Sequence, residues 1–100
     1  MLFVVHCLDH AGKVEDRLAH YDAHKSYLAQ TNEAGAAVAS VISGPLLASD
    51  HETMIGSLFI VEADSEQDVQ AFNRADPFNV AGIWESVEIH PFNMRVDNRR

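Results

Sequence analysis

Leu2-Phe3-Val4-Val5-His6-Cys7-Leu8 and, half the chain later, Met54-Ile55-Gly56-Ser57-Leu58-Phe59-Ile60-Val61-Glu62 are the stretches on which the fold turns. Both are dense in β-branched and aromatic residues, and the first runs into the turn-prone Asp9-His10-Ala11-Gly12, so each reads as a strand. Neither alternates between apolar and polar as a strand with one wet face would. Leu2, Val4 and Leu8 stand against Phe3, Val5 and Cys7, and Met54, Leu58 and Ile60 against Ile55, Phe59 and Val61. Strands that are apolar on both sides need cover on both sides. Gly56, inside the second run, marks a bulge or the close approach of another backbone.

Outward from these two strands the elements alternate. Lys13 to Thr31 contains no Gly or Pro, and Val14, Leu18, Tyr21, Leu28 and Ala29 recur at helical spacing, which predicts one amphipathic helix of about five turns. Asn32 to Gly35 closes it, with Gly35 available for a left-handed cap. Ala36 to Ser43 is read as a second strand: its alanines fit a helix almost as well, but Val38, Val41 and Ile42 favour a strand, and Gly44-Pro45 ends it. Ser49 to Glu52 is a polar loop. Asp64-Ser65-Glu66-Gln67-Asp68 looks like a helix start, a capping residue followed by acids at the positive end of the dipole, and the helix runs to about Ala75. Asp76-Pro77 breaks it, Phe78 to Gly82 forms a turn or a single helical turn, and Ile83 to Pro91 is the fourth strand. The order βαββαβ is that of an α+β, ferredoxin-like fold: a four-stranded antiparallel sheet with both long helices on one face. The uncovered face then calls for a second copy of the chain, a homodimer.

One hundred residues suit one domain, spanning residues 1–100 with about 93–100 as a C-terminal tail. Apolar residues make up 47% and charged residues 22%, and no apolar run approaches the ~20 residues of a membrane-spanning helix, so no membrane association is expected. The N-terminus has no basic segment or small-residue cleavage site, and Cys7 is the only cysteine, which together point to the reducing cytoplasm. A net charge of −8 without a basic stripe speaks against nucleic acid. Arg95, Arg99 and Arg100 read as a solvated chain end.

The polar residues that can carry chemistry are few. Arg17, His24 and Tyr27 fall on one flank of the first helix, with His20 nearby, at the boundary between interior and solvent where an imidazole can move protons. A half-buried histidine bonded to a backbone carbonyl fits the same spacing. Asp76, before Pro77, suits the N-cap of the following turn; turned toward the first helix, it would instead accept a hydrogen bond from His24 and fix its tautomer. His20 and His24 stand at i and i+4, a metal-binding spacing, but no third ligand is evident and no metal is expected. Nor is a cofactor: neither a phosphate loop nor a dinucleotide fingerprint is present, and there is no Ser or Cys nucleophile motif either. His6 could line the uncovered face of the sheet. Gly44-Pro45 is a turn first and a backbone wall beside a pocket second.

Taken together, the strand ending Cys7-Leu8-Asp9, the helix from Arg17-Leu18-Ala19 through His24 to Leu28, Gly44-Pro45-Leu46, Gly56-Ser57-Leu58, Ala75-Asp76-Pro77-Phe78, Ala81-Gly82 and Glu85-Ser86-Val87-Glu88-Ile89 resemble the YCII-related (YciI-like) family across nearly the whole length. The resemblance implies a dimeric α/β barrel in which two such sheets face one another, and a His and Asp active-site pair falling on His24 and Asp76. Arg17 matches a position often basic in the family, and with His6, Gly44, Pro45, Ser57 and Phe78 it completes the set of substrate-binding candidates. Tyr21 stands where relatives frequently carry another arginine, which puts in doubt any anionic substrate that needs two guanidinium groups. The expected activity is proton transfer on an unknown small molecule, of isomerase, lyase (dehydrochlorinase) or hydrolase type. The alternatives are a binding or sensing module that uses the same pocket without turnover, and a structural subunit.

Overall fold

The computed structural model describes residues 1–99, so Arg100 lies outside the described residues. Four strands, β1 (Leu2–Asp9), β2 (Val38–Leu47), β3 (Met54–Ala63) and β4 (Trp84–Phe92), form one antiparallel sheet in the order β2-β3-β1-β4. The two central strands are β1 and β3, the two whose sequences are apolar on both faces. Between the strands lie α1 (Val14–Ala29), extended by a 3₁₀ turn over Gln30–Asn32, then α2 (Glu66–Ala75) and the single-turn α3 (Pro77–Val80). This is the expected ferredoxin-like α+β architecture.

The core lies between the sheet and the helices. Phe3, Val5 and Cys7 of β1 and Phe59, Val61 and Ala63 of β3 share the covered face and pack with Val38, Val69, Phe78, Ile83 and Trp84. The alternate residues face the other way. Leu2, Val4, His6, Leu58 and Ile60 are half-buried there, and Leu8, Ile42 and Phe92 are exposed. Ser65 caps α2 as its sequence predicts, its hydroxyl accepting the Asp68 N–H at 3.2 Å.

Three expectations are corrected. Gly44-Pro45 does not end β2, which continues to Leu47 with Gly44 opposite Leu58 and Pro45 opposite Ser57. A proline breaks a strand only where its missing N–H is needed, and β2 is an edge strand, with a bulge at Val41. The second correction concerns α1. Leu18 and Tyr21, read as part of its apolar stripe, are 62% and 52% exposed, and the residues of α1 that are buried are Arg17 and His24. Gly35 sits at φ +85° in the turn after the 3₁₀ segment, where Ala36 N–H bonds the Glu33 carbonyl, rather than as the cap of α1 itself.

Candidate functional site

A helix packed on a sheet ordinarily turns apolar residues inward, so a buried face made of Arg17 and His24 must be satisfied by partners brought from elsewhere. For His24 the partner is Asp76, the residue that ends α2 and begins α3. Its backbone is extended (φ −61°, ψ 132°), Pro77 follows at the first helical position, and the side chain is fully buried. Asp76 Oδ1 accepts the Phe78 N–H at 2.9 Å and lies 2.8 Å from His24 Nδ1. The two readings left open for Asp76 are therefore met by one oxygen, which caps α3 and binds the imidazole. Because a carboxylate only accepts, Nδ1 carries the proton in neutral His24 and Nε2 keeps its lone pair. Nε2 bonds no group among the described residues.

Phe78 fixes the ring from its face: the His24 and Phe78 rings stack at 4.0 Å with planes 6° apart, and Phe59 meets His24 edge-on at 6.0 Å. The Arg17 guanidinium lies 4.9 Å from the centroid of the same Phe78 ring. It is held by Asp9, with Nε and Nη2 on the two carboxylate oxygens at 2.5 and 3.1 Å, and by Ser57, whose Oγ accepts from Nη2 at 2.6 Å. The charge of Arg17 is thus matched by a buried carboxylate. Its Nη1 enters no hydrogen bond among the described residues.

Arg17, His24, Gly44, Pro45, Ser57 and Phe78 line one cavity of about 240 Å³, with Asp76 directly behind it. Leu18, Tyr21, Leu28, Met54 and Phe59 add apolar wall, and Lys25 stands at the rim. His6 is not brought to this cavity. It lies on the opposite face of the sheet, between Leu58 of β3 and Glu88 of β4. Tyr27 also turns away, stacking on Phe72 and donating to its carbonyl at 2.7 Å; burial, and then the charge of Asp76, push its hydroxyl above the ordinary tyrosine range. A wider and shallower groove of about 450 Å³ runs past Tyr27, Thr31, Asp68 and Phe72 without reaching the His24–Asp76 pair. His20 donates from Nδ1 to the Asp16 carbonyl at 2.9 Å, and no group of three metal-ligating side chains occurs among the described residues. Burial, above all, pushes the Cys7 thiol up to about 12, which leaves it without nucleophilic character. No helix among the described residues is long and apolar enough to cross a membrane.

Asp9 is a site residue that the sequence does not single out, because it opens the turn-prone stretch Asp9-His10-Ala11-Gly12. A signal was present. It shares the two-residue period of Phe3, Val5 and Cys7, which places it on the helix-covered face, and a carboxylate there requires a cation.

The sequence matches the YCII-related domain over residues 1–93. It is similar to Protein YciI of Escherichia coli O6:H1 (strain CFT073) and to Protein YciI of Shigella flexneri, each 33% identical over 97 residues that cover 92% of this chain and 96% of the relative. Among solved structures it resembles the 5-chloro-2-hydroxyhydroquinone dehydrochlorinase TftG of Burkholderia phenoliruptrix AC1100, in complex with 2,5-dihydroxybenzoquinone: TM-score 0.79, 30% identity, 93% of this chain and 94% of that one. An uncharacterised NIPSNAP domain protein of Burkholderia xenovorans, 17% identical with a TM-score of 0.50 and covering 98% of this chain and 100% of its own, shares the fold.

Proposed function

The chain belongs to the YCII-related family, and we propose that it is a small-molecule enzyme of proton transfer, in which His24 is the acid or base and Asp76 orients it. The observation that carries this reading is an imidazole whose Nδ1 is committed to a fully buried carboxylate while it lines a cavity of about 240 Å³. In a neutral ring, Nε2 takes a proton from a substrate hydroxyl or carbon. The electron pair left behind either returns to a proton at another atom, an isomerisation, or expels a leaving group, an elimination. The imidazolium formed is stabilised by Asp76, and the developing oxyanion finds Arg17 and Ser57 on the same wall.

Likeness to a dehydrochlorinase supports elimination as the reaction type, and its bound 2,5-dihydroxybenzoquinone suggests a small oxygenated ring as the substrate. Such a ring suits a small cavity whose walls are mostly apolar with a few convergent polar groups. The proposal includes a cytoplasmic homodimer of single-domain chains, residues 93–100 forming the tail, closed over the apolar open face of β1 and β3. A monomer in light scattering at micromolar concentration would remove that part.

The test is a panel of small hydroxylated quinones, chlorinated hydroxyhydroquinones, lactones and muconate-like acids, followed by absorbance with the wild type and His24→Gln. Turnover that disappears in the variant supports the enzyme. Ligands that raise the melting temperature and are never converted would make the chain a binding module.

A further inference from the structure

Two side-chain polar atoms are buried with no hydrogen-bond partner among the described residues: Asp76 Oδ2, an acceptor, and Trp84 Nε1, a donor. Asp76 is fully buried and Trp84 is 8% exposed. Folded interiors pair such atoms, directly or through an ordered water, because each left alone has lost its hydration for nothing. One orphan of each kind is a matched set, and both residues pack on Phe78. Asp76 holds its backbone N–H, and the Trp84 indole meets its ring edge-on at 6.0 Å and 88°. Trp84 also meets Phe59 edge-on at 6.1 Å, and Asp76 is closed off from bulk water. The Cys7 thiol, in the same core, accepts the Asn73 amide N–H at 3.7 Å, and its own S–H is only a weak donor.

We propose that the Trp84 indole N–H is the second donor to the Asp76 carboxylate, reaching Oδ2 through one buried water, and that Trp84 is thereby a positioning residue for His24. With Oδ1 held by His24 and the Phe78 N–H, and Oδ2 by Trp84 through the water, the carboxylate has both ends fixed and so fixes the imidazole. A donor on Oδ2 also draws charge from Oδ1 and so moderates the bond to His24. The role in catalysis rests on the proton-transfer reading above; the contact does not, and it is measured without turnover.

Trp84 is the only tryptophan, so its indole gives one assignable resonance in ¹⁵N-labelled protein. Two substitutions are compared with the wild type. Asp76→Asn keeps the shape but has one acceptor oxygen, which goes to the Phe78 N–H; Trp84→Phe keeps an aromatic edge and removes the donor. In the wild type the indole proton is expected downfield, where bonded N–H protons resonate, and Asp76→Asn is expected to shift it upfield. Trp84→Phe is expected to move the His24 Nδ1–H resonance downfield, since the carboxylate charge then concentrates on Oδ1. Cross-relaxation of the indole proton with a long-lived water is expected, and its absence would overturn the bridge. If either variant fails to fold, the wild-type indole shift decides alone. An indole proton at the position of an unbonded N–H, or one that Asp76→Asn leaves in place, overturns the proposal while leaving the His24–Asp76 reading intact.

Discussion

Replacing Gly56 by alanine places a methyl group between the two central strands. Gly56 faces Leu8 of β1 on one side and Leu46 of β2 on the other. A Cβ built there overlaps the Cys7 carbonyl oxygen and comes within 3.3 Å of its carbon, with Leu46 Cδ1 at 3.1 Å. Leu46 can rotate away, but the Cys7 carbonyl is backbone of a central strand and yields only if β1 and β3 separate. In an unstrained strand the substitution would stabilise by ~0.4–1 kcal/mol through the unfolded chain. Overpacking against immobile atoms costs ~1–3 kcal/mol or more, so the expected net loss is about 2 kcal/mol. At ~4–8 °C per kcal/mol for a chain of this size, the melting temperature falls by about 10 °C. Urea unfolding followed by circular dichroism measures it as a lower midpoint at unchanged slope. A variant as stable as the wild type, or more so, would refute the account of why a glycine stands there.

The Cys7 thiol, raised to about 12 by burial, is expected to resist iodoacetamide at pH 8 in the native protein and to react once urea exposes it; native labelling at the rate of a free thiol would contradict its placement in the core. Asp50 turns the β2–β3 loop, accepting the Thr53 hydroxyl and the backbone N–H groups of Thr53 and Glu52, which lower its carboxyl to about 2. Because the folded value lies below the unfolded one, its contribution is present above about pH 4 and is lost as the pH falls toward 2. Asp50→Ala should therefore differ most from the wild type in neutral buffer and converge with it near pH 2, and a stability difference independent of pH would argue against the loop bonds.

Much of this fold is legible in the residues, and the reasons for the exceptions are specific. The central strands announce themselves by being apolar on both faces, and Ser65 and Asp76-Pro77 mark the ends of α2 through local backbone chemistry. The end of β2 is not legible, because Gly44-Pro45 has strong turn propensity and only the position of the strand at the sheet edge makes a proline tolerable there. The inward face of α1 is not legible for a related reason. Periodicity counts apolar residues, whereas this helix buries a guanidinium and an imidazole whose partners, Asp9 and Asp76, lie on other elements. A local rule that fails at a buried polar face is the expected mark of a functional site. His6 illustrates the converse. The alternation of β1 puts it opposite Phe3, Val5 and Cys7, and so away from the helices that carry His24 and Asp76.

The central claim, that His24 and Asp76 act as one proton-transfer unit, is tested most directly by a double-mutant cycle in kcat/KM on whichever panel compound is turned over. The account predicts that His24→Gln lowers the rate by ~10²–10⁴-fold, and that adding Asp76→Asn to it costs little more, because Asp76 works only through the imidazole. A His24→Gln enzyme as fast as the wild type, or two losses that simply multiply, would contradict it.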